Sequence, residues 1–241
     1  MGNNQNDILI IGHRGASATY PANTLKAFKK AIELNADYVE FDIHITKDDE
    51  IVIIHDSDTY NTTGVKGLVK DMTLEQIKQL DAGEGEKIPT LQELISIARN
   101  KIGLQIEIKA TNLLEKLLGV LKKEDLLDTP IISSFMIDEL LKLKQLNPNL
   151  KVGLLTPVEL KKPNLIKRKI EKIAKNNFYS LHPYYSNTDK EIVDFAHERG
   201  LKVIVWTVND RKNIENLIEI GVDGIITDDI SLTNDVFGKK L

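Results

Sequence analysis

The chain has 241 residues, a length that suits one α/β barrel or two small domains. Its 41% hydrophobic and 28% charged content is ordinary for a soluble globular protein. A net charge of -4 lacks the basic excess of proteins that bind nucleic-acid phosphates, so nucleic acid is not an expected partner. The absence of cysteine excludes a disulfide framework, a thiolate nucleophile and a cysteine-ligated zinc site.

The N-terminal segment 1–7 is largely polar and leads into a short apolar run, a pattern that does not indicate a signal peptide. No apolar stretch is long enough to span a bilayer. The basic run 161–175 has the pattern of a solvated helix face, so a membrane-binding role is not favoured. We therefore expect a cytoplasmic protein without stable membrane insertion. No feature of the sequence indicates an oligomeric state.

Short β-branched runs alternate with longer amphipathic stretches along almost the whole chain, which is typical of βα units around a parallel sheet. Eight strands are predicted, at 8–11, 38–43, 104–108, 131–133, 152–155, 178–181, 203–207 and 224–227. Helical spacing of apolar residues predicts helices that include 24–34, 137–146 and 188–199. No linker divides the chain, so a single domain over 1–241 is expected. The alternation alone fits both a closed barrel and an open doubly wound sheet.

One segment interrupts this alternation. The strand-like run 51–55 follows the second strand after only a few residues, which predicts a hairpin with a turn at 47–50. This turn would set Asp42 roughly opposite His55, on the same side of the hairpin. The loop-rich stretch at approximately 56–87 is then a small insertion after the hairpin.

Two predicted strands carry polar residues at every second position, so each strand has one polar face. On the second strand these residues are Glu40, Asp42 and His44, and on the strand at 104–108 the pattern gives Glu107 and continues to Lys109. His44 lies further along the strand than Asp42 and is expected at an exposed hairpin position.

Polar and aromatic residues also follow the carboxyl ends of other predicted strands. They are His13, Arg14, Ser133, Ser134, His182, Trp206, Asn209 and Asp228. In a barrel, these ends meet at one face, which is where active sites lie. The convergence favours a (β/α)8 barrel, the TIM-barrel class of α/β fold, with one polar mouth.

Clustered carboxylates without thiolates suit a hard divalent cation such as Mg²⁺ or Ca²⁺. Glu40, Asp42 and Glu107 are therefore predicted metal ligands. Ion pairing inside the barrel is the alternative, but buried carboxylates are costly and Lys109 and Arg14 are the obvious local cations.

The remaining predicted site residues fit phosphoryl transfer. His13 and His55 are suited to transfer protons near neutral pH. Arg14 and Lys109 are suited to hold an anionic phosphoryl oxygen. Two further substrate contacts are predicted, Trp206 as an apolar wall and His182 as a residue that faces the mouth. His197 is predicted to lie on the surface of a helix and to have no role in the site.

Several short motifs occur in a fixed order along the chain. They are His13-Arg14-Gly15, Pro21-Ala22-Asn23-Thr24 with Ala27-Phe28 and Ala31, residues 36–43, Thr46-Lys47-Asp48, His55-Asp56, Glu107-Ile108-Lys109, and residues 206–209 and 223–228. In this order they resemble the motifs of the glycerophosphodiester phosphodiesterase family. One departure is Ala22, where the family usually has Glu before Asn-Thr, and it bears on rate or substrate range more than on reaction class.

The resemblance implies a barrel with a small insertion after the hairpin, a Glu-x-Asp plus Glu metal site, and paired histidines as acid and base. It also implies hydrolysis of a small-molecule glycerophosphodiester to sn-glycerol 3-phosphate and an alcohol, with attack on phosphorus by the neighbouring hydroxyl of the substrate. A lysophospholipase D-like activity is a second hypothesis, and it requires an apolar groove of which the sequence gives no obvious sign. A catalytically silent barrel acting as a binding module is a third, and a turnover assay separates it from both.

Overall fold

Eight parallel strands pair in a closed ring in the computed structural model, which describes residues 8–238. The polar segment 1–7, on which the signal-peptide prediction depends, lies outside the described residues. In spatial order the ring runs through the strands at 9–13, 224–227, 202–205, 180–182, 151–155, 131–134, 103–108 and 38–45. The strand at 38–45 pairs back with the strand at 9–13, which closes the ring. This closure distinguishes the predicted (β/α)8 barrel from an open sheet and confirms the barrel.

The secondary-structure bounds follow the predicted order. The strands are β1 Leu9–His13, β2 Tyr38–Ile45, β3 Ile51–Ile53, β4 Gly103–Ile108, β5 Ile131–Ser134, β6 Lys151–Leu155, β7 Ser180–His182, β8 Lys202–Val205 and β9 Gly224–Thr227. The helices are α1 Leu25–Glu33, α2 Tyr60–Thr63, α3 Leu74–Gln79, α4 Leu91–Ala98, α5 Leu114–Lys123, α6 Ile137–Leu146, α7 Pro163–Lys175, α8 Lys190–His197, α9 Arg211–Ile220 and α10 Ile230–Val236. The main differences from prediction are that β1 extends to His13 and that β7 and β8 are displaced by one or two residues. His13 thus ends a strand and does not lie in the loop after it.

Side-chain alternation along the strands divides the apolar residues into an inner and an outer core. The inner cluster comprises Ile11, Ile131, Ile204 and Ile226. Their chain neighbours Ile10, Ile132, Val203 and Ile225 belong instead to the larger cluster, which includes residues of the surrounding helices. Because both faces of these strands are buried, β1, β8 and β9 read largely as continuous apolar runs, whereas β2 and β4 carry the polar residues of the mouth.

The hairpin register differs from the predicted one. Ile45 pairs with Ile51 and His44 with Val52, and the backbone oxygen of Asp42 accepts a hydrogen bond from the backbone N–H of Ile54 at 3.0 Å. The predicted pairing of Asp42 with His55 is therefore wrong by one residue. The Thr46 N–H donates to the Glu50 backbone oxygen at 2.9 Å, and the Thr46 hydroxyl oxygen accepts the Glu50 N–H at 2.9 Å. The turn therefore closes over 47–49, one residue shorter than the predicted 47–50.

His44 is buried, and the expectation of an exposed hairpin position is also wrong. Its Nε2 lies 3.1 Å from the backbone oxygen of His55, in the segment that follows β3. Burial lowers the pKa of the His44 imidazole. The side chain therefore helps to fix the backbone that carries His55.

The insertion packs on the outer side of the hairpin with a core of its own. This core comprises Val52, Ile54, Val69, Ile77, Ala82 and Ile88. Its helix α3 begins at a capping box formed by Thr73 and Gln76, and α4, which returns the chain to the barrel, begins at another formed by Thr90 and Glu93. The segment is thus a packed structure next to the barrel mouth.

The basic run 161–175 and His197 were both predicted to lie on helix surfaces. Helix α7 buries Ile166, Ile170 and Ile173 on one face, as an amphipathic surface helix does. The His197 side chain is only one-third exposed, and its Nε2 lies at hydrogen-bond distance, 2.7 Å, from Asp223 Oδ2. It is therefore not a free surface residue. No helix in 8–238 is long and apolar enough to cross a membrane.

Gly153 on β6 makes room for two buried polar side chains. A Cβ at this position would lie 2.5 Å from His182 Nε2 and 2.6 Å from Ser180 Oγ. We expect Gly153→Ala to lower the free energy of unfolding by on the order of 1–3 kcal/mol, because both neighbours are enclosed. Chemical denaturation measures this effect.

Gly119→Ala is the matched control, since Gly119 lies on α5 with open space around the added Cβ. It should raise the free energy of unfolding by up to about 1 kcal/mol. Equal effects of the two substitutions would contradict the packing argument.

Candidate active site at the barrel mouth

Three carboxylates meet at the carboxyl ends of β2 and β4. The parallel register sets Asp42 beside Glu107 and Glu40 beside Gln105. One oxygen from each of Glu40, Asp42 and Glu107 lies within 4.8 Å of the other two, and all three residues are buried. The structure therefore brings the predicted metal-ligating residues together.

Two cations and one amide surround Asp42. Lys109 Nζ lies 3.3 Å from Asp42 Oδ1 and 2.7 Å from Glu107 Oε1, and Arg14 Nε lies 3.4 Å from Asp42 Oδ2. Asn23 Nδ2 donates to Asp42 Oδ2 at 2.9 Å. Burial favours the neutral acid, but Lys109 and Arg14 outweigh it and lower the pKa of Asp42.

The negative charges of Glu40 and Glu107 are offset less by nearby positive groups than that of Asp42. Burial, followed by repulsion from Asp42 and Glu107, raises the pKa of Glu40 well above its usual range. Burial and Asp42 together raise the pKa of Glu107 to about 7. Such shifts mark a site where negative charge is concentrated away from solvent.

An unused acceptor oxygen shows that the cluster fits a cation. Glu40 Oε1 is buried and accepts no hydrogen bond from any residue of 8–238, whereas the buried Asp42 Oδ1 lies 3.3 Å from Lys109 Nζ. Buried acceptors are normally satisfied, and three hard carboxylate oxygens are the donors that divalent cations such as Mg²⁺ and Ca²⁺ take. The three residues could therefore hold a metal ion.

Arg14 contributes its backbone as well as its side chain. Its φ of 54° is in the left-handed region, and its N–H donates to Glu40 Oε2 at 3.1 Å. Gly15 follows with φ 86°, where a Cβ would lie 2.7 Å from the Ala27 carbonyl carbon. The sharp turn after β1 thus orients Glu40 and directs the guanidinium to the carboxylates.

Both predicted catalytic histidines border the same cavity. His13 Nε2 lies 4.0 Å from Glu40 Oε2, and its Nδ1 lies 2.6 Å from Asp228 Oδ1. His55 Nδ1 lies 2.7 Å from Asp56 Oδ1. Because Nδ1 of each ring is occupied, Nε2 is the nitrogen available to a substrate.

The cavity has a volume of about 160 Å³ and two chemically different walls. Its polar wall comprises His13, Arg14, Glu40, His55, Gln105, Glu107 and Lys109, and its apolar wall comprises Phe135, Leu155, Trp206 and Ile226. A larger cavity of about 460 Å³, near the opposite ends of the strands, is lined by none of the three clustered carboxylates. The chemistry is therefore concentrated in the smaller cavity.

Trp206 is held firmly in the apolar wall. Its ring meets those of Phe135 and Tyr184 edge-on, with centroid distances of 5.4 Å in both cases. Its Nε1–H donates to the backbone oxygen of His182 at 3.0 Å. Because this hydrogen bond satisfies the only polar group of the indole, the ring presents an apolar surface to the cavity.

The structure does not bring the His182 side chain to the cavity surface. It is fully buried inside the barrel, 2.7 Å from Ser180 Oγ and 3.3 Å from Gln105 Nε2. Burial lowers the pKa of the imidazole to about 3, so the ring is neutral. As the last residue of β7, His182 points into the barrel below the mouth, and Gln105 is its link to the cavity.

Several residues at the site were not assigned roles from the sequence. They are Asn23, Asp56, Gln105, Phe135, Leu155, Asp228 and Ile226. Asn23 and Asp228 contact residues far away in sequence, which no local periodicity encodes. Asp56 adjoins His55, and a carboxylate next to a predicted catalytic histidine was a usable signal.

The closed barrel and its mouth define a class of protein, the (β/α)8-barrel enzymes with an acidic cluster at the carboxyl ends of the strands. Within this class, the chain belongs to the glycerophosphoryl diester phosphodiesterase family, whose model matches residues 13–232. It is therefore an enzyme of the phosphodiesterase class, and the resemblance seen in the sequence motifs is confirmed.

Individual relatives match along nearly their whole length. The glycerophosphodiester phosphodiesterase of Caldanaerobacter subterraneus subsp. tengcongensis is 43% identical, covering 92% of this chain and 94% of that protein. The crystal structure of the Thermotoga maritima glycerophosphodiester phosphodiesterase matches with a TM-score of 0.83 at 32% identity, covering 95% and 98% of the two chains. An Oleispira antarctica phosphodiesterase, in complex with the product sn-glycerol-3-phosphate, matches with a TM-score of 0.84 at 28% identity, covering 95% and 96%.

The raised pKa of Glu107 predicts a pH-dependent stability in chelator. An acid whose pKa rises from 4.5 to about 7 on folding stabilises the protein below pH 4.5, and this contribution is lost as pH rises through 7. The difference corresponds to on the order of 3 kcal/mol. In chelator, we expect the free energy of unfolding of the wild-type protein to fall by this amount between pH 4.5 and pH 8, relative to the change in Glu107→Gln over the same range. Denaturant unfolding at each pH measures both.

Excess Mg²⁺ or Ca²⁺ should reduce this loss, because a bound cation stabilises the ionised carboxylates. Parallel pH dependence of wild type and variant in chelator would contradict the raised pKa.

Proposed function

We propose that the protein hydrolyses glycerophosphodiesters to sn-glycerol 3-phosphate and an alcohol, using a divalent cation and two histidines. The observation that carries this proposal is one cavity lined by two histidines and by Glu40 and Glu107, two of the three clustered carboxylates. Each histidine has a carboxylate oxygen within 2.7 Å of its Nδ1. Membership of the family and the names of the relatives support the substrate class.

Glu40, Asp42 and Glu107 would hold the cation, with Mg²⁺ or Ca²⁺ favoured by an all-oxygen ligand set. When bound, a divalent cation supplies positive charge that polarises the phosphoryl group. Arg14 and Lys109 border the cavity and would contact the non-bridging phosphoryl oxygens.

His13 and His55 would divide the proton transfers. One Nε2 accepts the proton of the attacking hydroxyl, and the other imidazolium donates a proton to the departing alkoxide, so that the alcohol leaves neutral. The attacking hydroxyl is the neighbouring one on the glycerol, and water then completes hydrolysis. Trp206 would pack against the glycerol or the leaving group.

A second candidate is hydrolysis of lysophospholipids, and one cleft favours it. A groove of about 440 Å³ shares Lys109 with the active-site cavity and includes Ile45, Leu68 and Met136 among its lining residues. The sequence gave no obvious sign of a groove at this position. The groove also contains Lys70, Asn112 and His44, so its lining is mixed, and water-soluble diesters remain our first proposal.

The proposed function is tested by turnover of a substrate panel with and without chelator. We expect glycerophosphocholine and glycerophosphoethanolamine to release glycerol 3-phosphate, detected by an enzyme-coupled assay, and long-chain lysophospholipids to react more slowly. Glu40→Gln, Asp42→Asn and Glu107→Gln should each weaken metal binding, because each removes ligand charge at nearly constant volume. Glu219→Gln, on an exposed residue of α9, is the matched control.

Full activity after verified metal removal would exclude the metal role, and unchanged metal titrations in all three variants would place the site elsewhere. Absence of turnover on the whole panel would favour the silent barrel. Faster turnover of a lysophospholipid would reverse the order of the two candidates.

The division between acid and base is tested with two leaving groups. Each proton transfer contributes roughly 10²–10⁴-fold in rate. A nitrophenolate leaving group needs little protonation, so replacing the acid should be severe for an aliphatic diester and mild for a nitrophenyl ester, while replacing the base should be severe for both. The measurement compares kcat of His13→Ala and His55→Ala, checked for folding and metal binding, on the two substrates. Equal proportional losses would indicate a shared positioning role.

A further inference from the structure

Each histidine that borders the cavity has a carboxylate against its Nδ1. We propose that Asp228 and Asp56 are positioning residues that hold His13 and His55 with the proton on Nδ1, so that protons are exchanged with the substrate at Nε2. The distances are 2.6 Å for Asp228 to His13 and 2.7 Å for Asp56 to His55. The catalytic part of this proposal rests on the proton-transfer roles proposed above for the two histidines.

Asp228 is itself held by hydrogen bonds that allow only one orientation of the Asn209 amide. Asn209 Oδ1 accepts the Asp228 backbone N–H at 2.9 Å and the Thr227 hydroxyl at 3.2 Å. Its Nδ2 is therefore the end that donates to Asp228 Oδ2, at 2.5 Å. Ser17 Oγ lies 2.8 Å from Asp228 Oδ1 and 2.7 Å from the His13 carbonyl oxygen, and its single proton serves one of the two.

These contacts keep the Asp228 carboxylate ionised. Burial raises its pKa, but hydrogen bonds from His13, Ser17 and Asn209 outweigh burial and lower the pKa to about 2. An ionised carboxylate accepts the Nδ1–H and stabilises the imidazolium that forms when Nε2 takes up a proton. The positioning of His13 thus joins the loops after β1, β8 and β9.

The second pair is held by the insertion. Asp56 follows His55 directly in the sequence. Asn61, on the short helix α2, donates a hydrogen bond from Nδ2 to Asp56 Oδ2, and the two atoms are 2.7 Å apart. The insertion therefore reaches the cavity through Asn61 and Asp56. The two histidines have the same kind of partner, but these partners belong to different parts of the chain.

Replacing either carboxylate by an amide tests the tautomer. In Asp228→Asn, the new amide can present an N–H to Nδ1, which leaves the ring proton on Nε2, where it blocks proton uptake. The same reasoning applies to Asp56→Asn at His55. We expect each variant to lose roughly 10²–10⁴-fold in kcat with KM and metal affinity within a few-fold of wild type. Asp128→Asn, on an exposed residue just before β5, is the matched control and should be unchanged.

Two further measurements keep the proposal separate from a folding defect. Imidazole ¹⁵N NMR should show the Nδ1–H form of His13 in wild type and its loss in Asp228→Asn. If Asp228→Asn fails to fold, Asn209→Ala takes its place as the test. This variant removes one hydrogen-bond donor to Asp228 and should lower kcat about tenfold.

Unchanged kcat in both Asp variants, a change in KM alone, or an unaltered tautomer would overturn the proposal. If wild-type protein turns over no glycerophosphodiester, the proposed function fails, and the NMR spectra still decide whether Asp228 and Asp56 fix the two rings.

Discussion

Repulsion among three buried carboxylates is the constraint around which the barrel mouth is arranged. Glu40, Asp42 and Glu107 lie too close together, and too far from water, for all three to ionise without nearby positive charge. Lys109 and Arg14 stabilise the charge of Asp42, yet the pKa values of Glu40 and Glu107 stay raised. The remaining deficit of positive charge is what a bound cation would supply.

The barrel itself creates this concentration of charge. Period-two alternation gives β2 and β4 one polar row each, and the parallel register aligns Asp42 with Glu107. Ring closure through β1 and β2 then sets His13 beside Glu40. Residues separated by almost the whole length of the chain, such as His13 and Asp228, meet because β9 pairs with β1 on the other side. The site is therefore a consequence of closure, which no open sheet would reproduce.

The sequence predicted the elements of this arrangement better than their contacts. Alternation was sufficient for the strands and for the polar faces that carry the carboxylates, because it depends only on neighbouring residues. The barrel class was predicted from the polar residues at the carboxyl ends of the strands. The predicted hairpin register was wrong because hydrogen bonds between Thr46 and Glu50 close the turn over 47–49, one residue shorter than expected. His182 was expected at the mouth because it ends a strand, but the direction of its side chain depends on packing against Gln105 and Ser180. Asp228 received no role because its partner lies across the ring closure.

The Lys109 and Arg14 side chains can pair either with the carboxylates or with an anionic substrate. This competition links metal binding to substrate binding. Without a cation, Lys109 and Arg14 neutralise Glu107 and Asp42. A cation held by the same carboxylates would reduce their need for these side chains, which border the cavity and are suited to a phosphodiester anion. Under the proposed function, the cation and the anionic substrate therefore favour each other's binding, by direct attraction and by release of the ammonium and guanidinium groups.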